Sequence, residues 1–378
     1  MTSASPGVLA NSAALNPRWI DQVLQRAGVS APAVTSLRVE PVGRGTASSV
    51  VRLALTYAGP AGDAPRTLIA KFPKPARNGE PPDAALLGYD REVAAYRFFG
   101  ATPPCRMPTC YFAEIRADGV FTLILEELGD HCRPGDQITG CSIAEAGAVV
   151  NSLAALHGAY CNKPNLHDLS WPKRRQQLAA QSARLFARGA LVMRERYAQM
   201  LGEAALTTIE RAAPLVGPWS QLTSPNASLI HTDARVDNVI FEHTAQGIRA
   251  CLIDLQSMAI GDPAYDIAYF LSGSLEPGDR AACERDLVAT HAATLAAAGV
   301  STSAITAWEN YRQHAIAGLV ATVSAAAILP ASPAIDDLLT TLARRNCAAV
   351  QELAGIEAAQ RRIAGRAGTL PESDRIQR

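Results

Sequence analysis

Apolar positions recur along this chain at two spacings, and the change from one to the other divides it. Asn16-Pro17 supplies an N-cap and a first-turn proline, and the run WIDQVLQRA up to Gly28 predicts a short opening helix. Residues 36–42, 49–57 and 67–72 are short, rich in β-branched or apolar residues and separated by Gly/Pro turns, which predicts three strands. Residues 84–99, AALLGYDREVAAYRFF, read as one helix, and residues 109–115 and 120–127 return to strand patterning. From Gly129 onward the helical spacing prevails. Ser142-x-x-Glu145 forms a capping box, and Ala146, Val149, Val150, Leu153 and Leu156 behind it share one helical face. A single apolar, strand-rich island at residues 228–255 interrupts the helices. The charged, Gly-containing stretch after Gln360 predicts a fraying end. The order is a two-lobe α+β plan: a small β-rich part over residues 1–128, a larger and mainly helical part over residues 129–378, and a junction near residues 127–133.

Composition narrows the partners. A chain of 378 residues with 48% hydrophobic positions can bury the cores of two lobes. Its 35 basic and 35 acidic residues cancel, so neither nucleic acid nor an anionic membrane surface is an expected partner, and only a small local cationic pocket stays compatible with the balance. The eight cysteines contain no C-x-x-C pair, and reduced thiols are expected. The tightest group, Cys105, Cys110, His131 and Cys132, lacks the spacing of a zinc knuckle. No positive charge precedes Arg18 and no long apolar run follows the start, so no signal peptide is read. Residues 315–329, AIAGLVATVSAAAIL, fall short of the ~20 strongly apolar residues a bilayer requires and predict a buried helix. The expected location is the cytoplasm.

The chemistry concentrates in the island. Between two apolar runs stands His231-Thr232-Asp233-Ala234-Arg235-Val236-Asp237-Asn238, an H-x-D-x-x-x-x-N pattern. Apolar flanks anchor such a loop and hold His231, Asp233 and Asn238 at fixed positions. Further on, Cys251-Leu252-Ile253-Asp254 is a second apolar strand ending in an acid. Two acids and an amide carbonyl suit phosphoryl transfer, in which one carboxylate deprotonates an attacking hydroxyl and other oxygen ligands hold magnesium. In that reading Asp233 is the base, and Asn238 and Asp254 are the metal ligands. Asx turns in a surface loop are the alternative use of Asp233 and Asn238.

On these residues the chain resembles the protein-kinase-like superfamily, and within it the aminoglycoside phosphotransferase and choline kinase branch of small-molecule kinases. The segment Gly261-Asp262-Pro263-Ala264-Tyr265-Asp266-Ile267-Ala268 is similar to that branch's G-D-P-x-x-D-L-A. Asp262 capping a helix with Pro263 at its first turn is a sufficient structural reason for both, and Asp266 is expected to brace the loop. The resemblance implies a two-lobed fold with a small antiparallel-sheet N-lobe that binds ATP. Gly43-Arg44-Gly45-Thr46-Ala47-Ser48 would be its phosphate turn, with Ser48 standing where a third glycine is usual. Lys71 would contact the phosphates and pair with Glu92, chosen over Asp90 on the resemblance alone. Leu125-Glu126-Glu127-Leu128 would be the hinge, with backbone groups at Glu126 and Leu128 meeting adenine. Residues 153–157, LAALH, resemble a lower-lobe helix, and His157 there reads as a core histidine.

Two departures stand out: Thr232 replaces the glycine usual after the histidine, and Leu255-Gln256 replaces Phe-Gly after the metal aspartate. The H-T-D-A-R-x-D-N version is similar to the ecdysteroid-kinase-like group. Seven residues separate Asp254 from Asp262 and no A-P-E follows, so a peptide platform is not expected. The acceptor should be a hydroxylated small molecule, in a pocket walled by residues 171–221 and the helices after Asp279. Residues 171–200 carry Lys173, Arg174, Arg175, Arg184, Arg188, Arg194 and Arg196 against Glu195 alone, which argues against a polycation unless those charges form a solvated helix face. The expected function is an ATP- and magnesium-dependent kinase for a small-molecule hydroxyl. The alternative is a nucleotide-binding pseudokinase that acts as a regulatory partner. A P-loop NTPase is excluded by the absence of G-x-x-x-x-G-K-[ST].

Overall fold

In a computed structural model of the chain, the structure describes residues 6–42, 48–74, 88–129 and 131–369. The chain divides into two compact units: Met1–Cys132 with Ile253–Ser257, and Arg133–Leu252 with Met258–Arg378. A single cut does not express this division, because the five residues around Asp254 pack with the first unit.

The first unit opens with α1 (Pro17–Arg26), whose N-cap Asn16 accepts from the Trp19 N–H through its side chain. Strands β1 (Val34–Pro41), β2 (Ser48–Tyr57) and β3 (Thr67–Pro73) follow, then α2 (Tyr89–Phe99), β4 (Cys110–Ile115) and β5 (Phe121–Glu126). Of the helix expected over residues 84–99, residues 84–87 lie outside the described set. The strands form one antiparallel sheet in the order β1-β2-β3-β5-β4. Alternation along β3 buries Leu68, Ala70 and Phe72 in a core with Trp19, Ile20 and Val23 of α1. The same period turns Lys71 to the other face, alongside its β5 register partner Leu123.

In the second unit the capping box forms as the sequence predicts. Ser142 accepts from the Glu145 N–H, the Glu145 carboxylate accepts from the Ser142 N–H, and α3 (Ile143–Tyr160) buries Ala146, Val149, Val150, Leu153 and Leu156. A helical run over Ala179–Ala212, α4, breaks at Gly202, whose φ of 76° is open to glycine and leaves the helix. The island resolves into β6 (Ser228–Ile230), the hairpin β7 (Val239–Thr244) and β8 (Gly247–Leu252), and β9 (Ala259–Gly261), which pairs antiparallel with β6. The helices after β9 are α5 (Ala264–Ser274), α6 (Pro277–Ala297), α7 (Ala304–Gln313), α8 (Ile316–Ala326), α9 (Pro333–Glu352) and α10 (Gly355–Thr369).

Helix α10 runs through Thr369, and the rest of the stretch after Gln360 lies outside the described residues. Helix α8, the Ala-rich apolar stretch, buries Ile316, Leu319 and Val323 against α4 and α9. Among the described residues no helix is long and apolar enough to cross a membrane.

The α4–α8 contact is close because Gly189 carries no side chain. A Cβ there would stand 2.7 Å from the Val323 carbonyl carbon, a contact that backbone cannot yield cheaply. Gly189→Ala should therefore cost about 2–3 kcal/mol, an overpacking penalty without any loss of hydrophobicity. Urea titration checks this, and an unchanged midpoint would show that the two helices are not held at this spacing.

Candidate active site

Two groups of side chains, one in each unit, contain the residues singled out from the sequence. In the first unit Lys71 sits on the central strand β3, paired on either side with Val50 and Leu123. Its Nζ lies 2.5 Å from Oε1 of Glu92, in the first turn of α2, and 3.8 Å from Oδ1 of Asp254. Glu92 is 1% exposed, whereas Asp90 next to it is largely solvated beside Arg91. Burial pulls the Lys71 ammonium down, but the charges of Glu92 and Asp254 outweigh it and raise it above the ordinary lysine value. Burial also raises the Glu92 carboxyl, against the opposing pull of Lys71. Lys71 is thus held as a cation.

Asp254 has a φ of 63°, and its Oδ1 is buried with no hydrogen-bond partner among the described residues. A buried carboxylate oxygen without a donor suits a cation ligand. The segment is fixed from α2, where the buried Arg91 donates through Nε to the Gln256 carbonyl at 2.9 Å, while Leu255 is fully buried. Arg91 was not legible as a positioning residue, because in sequence it is one charge among three in D-R-E.

The phosphate turn expected at Gly43 and Gly45 lies outside the described residues. Ser48 begins β2, buried opposite Pro73. At the end of β5 the Glu126 carboxylate takes the Arg106 guanidinium at 2.7 and 2.9 Å and the Thr109 N–H at 2.9 Å. Burial alone would raise that carboxyl, but these donors hold it below its ordinary value. Glu127 pairs likewise with Arg52, and Leu128 is half-buried. The acidic side chains of this segment thus serve ion pairs.

In the second unit the buried strand β6 delivers His231 and Thr232. Both backbone N–H groups donate to one carboxylate, that of Asp266 in the first turn of α5, at 2.6 Å to Oδ2 and 2.8 Å to Oδ1. Thr232 takes a φ of 62°, the left-handed region that favours glycine. That turn brings the two N–H groups into line. His157 Nε2 lies 3.1 Å from Asp266 Oδ2, and His157 Nδ1 lies 3.0 Å from His291 Nε2, so the core reading of His157 holds. His231, the first residue of the motif, is fully buried.

Asp233 follows, with its carboxylate held at both oxygens. Asn238 Nδ2 donates to Oδ2 at 2.9 Å, and the Tyr269 hydroxyl donates to Oδ1 at 3.0 Å. Arg235 Nε lies 3.5 Å from Oδ2. Burial and the Asp233 charge push the Tyr269 phenol well above its ordinary value, so it remains a donor. Tyr269 is the functional candidate the motif reading missed. Its signal was the i, i+3 spacing from Asp266, which sets both on one face of α5. Asn238 also donates to the Asp233 carbonyl, and Gln137 N–H donates to Asp237, which ties down the far side of the loop. The hairpin closes on the pair Val239 and Leu252, one residue after Asn238 and two before Asp254 in sequence. Asp262 caps the next helix as expected, accepting from the Ala264 N–H at 3.0 Å.

A sheet of five antiparallel strands with a helical majority beyond it, and acids carried on a braced loop, define a two-lobed, protein-kinase-like α+β protein. The chain belongs to the phosphotransferase enzyme family, whose model matches residues 38–314. Among the curated proteins none matches it. Solved structures share the fold at low identity. A Ralstonia eutropha JMP134 protein crystallised as a candidate aminoglycoside phosphotransferase has a TM-score of 0.51 at 17% identity, over 90% of this chain and 97% of its own. The choline kinase of Cryptosporidium parvum Iowa II has a TM-score of 0.50 at 11% identity, over 89% and 92%. An aminoglycoside phosphotransferase from Alicyclobacillus acidocaldarius has 0.50 at 16%, over 94% and 98%.

The Asp266 network makes stability depend on pH in a defined direction. Burial, and His157 beside it, push the His291 imidazole down from its ordinary value to about 3. A folded-state value below the unfolded one means that the unfolded chain takes up the proton first, so stability is full above about pH 6.5 and falls on acidification toward pH 3. Asp266, also lowered because its donors outweigh its burial, adds to the loss below its ordinary value of 3.8. His291→Gln should flatten the slope of unfolding free energy between pH 6.5 and 4. An unchanged slope would mean that His291 titrates alike in both states.

Proposed function

We propose that this phosphotransferase moves the γ-phosphoryl group of ATP, with magnesium, to a hydroxyl of a small organic molecule. The observation that carries the reading is the Asp233 carboxylate, oriented at one oxygen by Asn238 and at the other by the Tyr269 hydroxyl. Asp233 takes the proton of the acceptor hydroxyl as that oxygen bonds to the γ-phosphorus. The bond from the γ-phosphorus to the bridging oxygen breaks, and ADP leaves with the electron pair. Lys71, held cationic and restrained by Glu92, binds and orients the phosphates. Magnesium, when bound, neutralises charge on the transferring phosphate, and Asn238 and Asp254 are the residues that would hold it. Among the described residues there is no cluster of three or more His, Cys, Asp or Glu, and an ion of this kind needs only one or two protein oxygens beside those of phosphate. Gly43, Gly45 and Ser48 are the residues proposed to contact the phosphates, and backbone groups near Glu126 and Leu128 those proposed to meet adenine. Positioning and charge neutralisation supply the catalysis.

A screen of hydroxylated metabolites with ATP and magnesium, read by mass, should show an acceptor gaining one phosphoryl group. Asp233→Asn should lower that turnover about 10³-fold with an unchanged melting temperature, as expected for loss of a general base. Asp254→Asn should abolish magnesium-dependent turnover with the fold intact, and Lys71→Ala should raise KM for ATP and lower kcat. Nucleotide binding without transfer to any acceptor, or an Asp233→Asn enzyme of undiminished rate, would contradict the assignment.

A further inference from the structure

Residues 135–140 run along the loop that bears Asp233, within the same unit. The Gly135 N–H donates to the Val239 carbonyl at 2.9 Å, and a Cβ on Gly135 would stand 2.7 Å from the Val236 carbonyl carbon, so the two backbones touch. Two residues on, the buried Gln137 meets the loop twice. Its N–H donates to Asp237 Oδ1 at 2.7 Å, and its side-chain oxygen accepts from Arg235 Nη1 at 3.4 Å. A guanidinium only donates, so the amide oxygen is the atom that faces it.

The Gln137 backbone is fixed from a helix distant in sequence. Arg345 of α9, 2% exposed, donates through Nη1 to the Gln137 carbonyl at 2.7 Å and through Nη2 to the Ile138 carbonyl at 2.9 Å. The same fork reaches the Gly273 carbonyl in the last turn of α5 at 3.3 Å, and Glu276 supplies its counter-charge at 2.6 and 2.9 Å. Helix α5 carries Asp266 and Tyr269. One buried guanidinium therefore ties the helix that orients Asp233 to the segment that holds Arg235.

Held in this way, Arg235 stops short of the base. Its Nε lies 3.5 Å from Asp233 Oδ2, longer than the ~2.7–2.9 Å of a charge-assisted hydrogen bond. Packing does not enforce the gap, since Gln137, Arg235 and Tyr269 border a cavity of about 70 Å³. Attraction favours closing it: Asp237, the other acid whose charge acts on Arg235, is exposed and screened by water, whereas the Asp233 side chain is 24% exposed. A carboxylate drawn into a close ion pair is a weaker base.

Resting on the phosphotransfer reading above, we infer that Gln137 is a positioning residue that holds Arg235 off the Asp233 carboxylate, from a backbone locked by Arg345, and so keeps the base open to the acceptor hydroxyl. Its action passes through Arg235. Removing the amide oxygen lets the guanidinium close on Asp233 and slows proton removal, while nucleotide binding is unaltered.

The test uses the full-length chain with ATP and magnesium, water and glycerol serving as hydroxyl acceptors, and reads ADP release. Gln137→Met keeps the length of the side chain without its amide, and should lower kcat about tenfold at an unchanged KM for ATP. In an Arg235→Gln background the same change should cost nothing, because no guanidinium remains to close on the base. A loosened fold would cost the same in both backgrounds. The crystal structure of Gln137→Met should show Arg235 Nε within about 2.9 Å of Asp233 Oδ2. Gln137→Ala takes its place if the methionine variant does not fold. An undiminished kcat, an equal loss in both backgrounds, or a gap still at 3.5 Å overturns the inference and leaves the phosphotransfer reading in place. A wild-type chain that releases no ADP with these acceptors, or with any member of the hydroxylated-metabolite screen, removes the two together.

Discussion

The Asp266 carboxylate is the constraint on which the second unit's chemistry depends. Two consecutive backbone N–H groups, those of His231 and Thr232, end on its two oxygens, and His157 comes to the same group from α3. A fully buried carboxylate without donors would shift upward and neutralise. With these donors it is instead held below the ordinary aspartate value and keeps its charge. The charge in turn fixes the backbone. Thr232 adopts a left-handed φ that a β-branched residue avoids, at a cost of about 1–3 kcal/mol, and it does so where both N–H groups must turn toward one acceptor. The residue after that turn is Asp233. A single helix, α5, thus carries the acid that shapes the loop at one position and, three residues on, the tyrosine that orients the loop's own acid.

The first unit is built on the same logic with the signs exchanged. A strand lysine, buried on the sheet face away from α1, is kept charged by two acids, one from a helix and one from a segment distant in sequence. Removing either partner leaves the ammonium less compensated in a site where burial already works against it. Asp254 is left with an oxygen that no described donor satisfies. The Glu126 carboxylate, by contrast, takes donors from Arg106 and Thr109. The unsatisfied Oδ1 of Asp254 is compatible with the cation-ligand role proposed for it.

Much of this was legible in the residues. The elements of the first unit, the capping box at Ser142 and the buried face of α3 all follow from local patterning, which acts over a few residues and leaves a periodic trace. The H-x-D-x-x-x-x-N loop is legible because apolar strands flank it. What the sequence withheld depends on contacts between distant residues. Tyr269 and Arg91 sit in stretches where aromatic and charged residues have ordinary reasons to be. The basic run in residues 171–200 looked unpaired because its partners Glu203, Glu210 and Asp336 lie outside that window.

The central claim is that one buried, ionised carboxylate holds the loop bearing Asp233. Amide hydrogen exchange across residues 229–240, compared between the wild-type chain and Asp266→Asn, tests it most directly. The amide side chain can accept one of the two N–H groups but not both as an anion does. The account predicts exchange at His231 and Thr232 at least about tenfold faster, with the amides of α4 and α8 unchanged. Equal protection of the loop in the two proteins would contradict it.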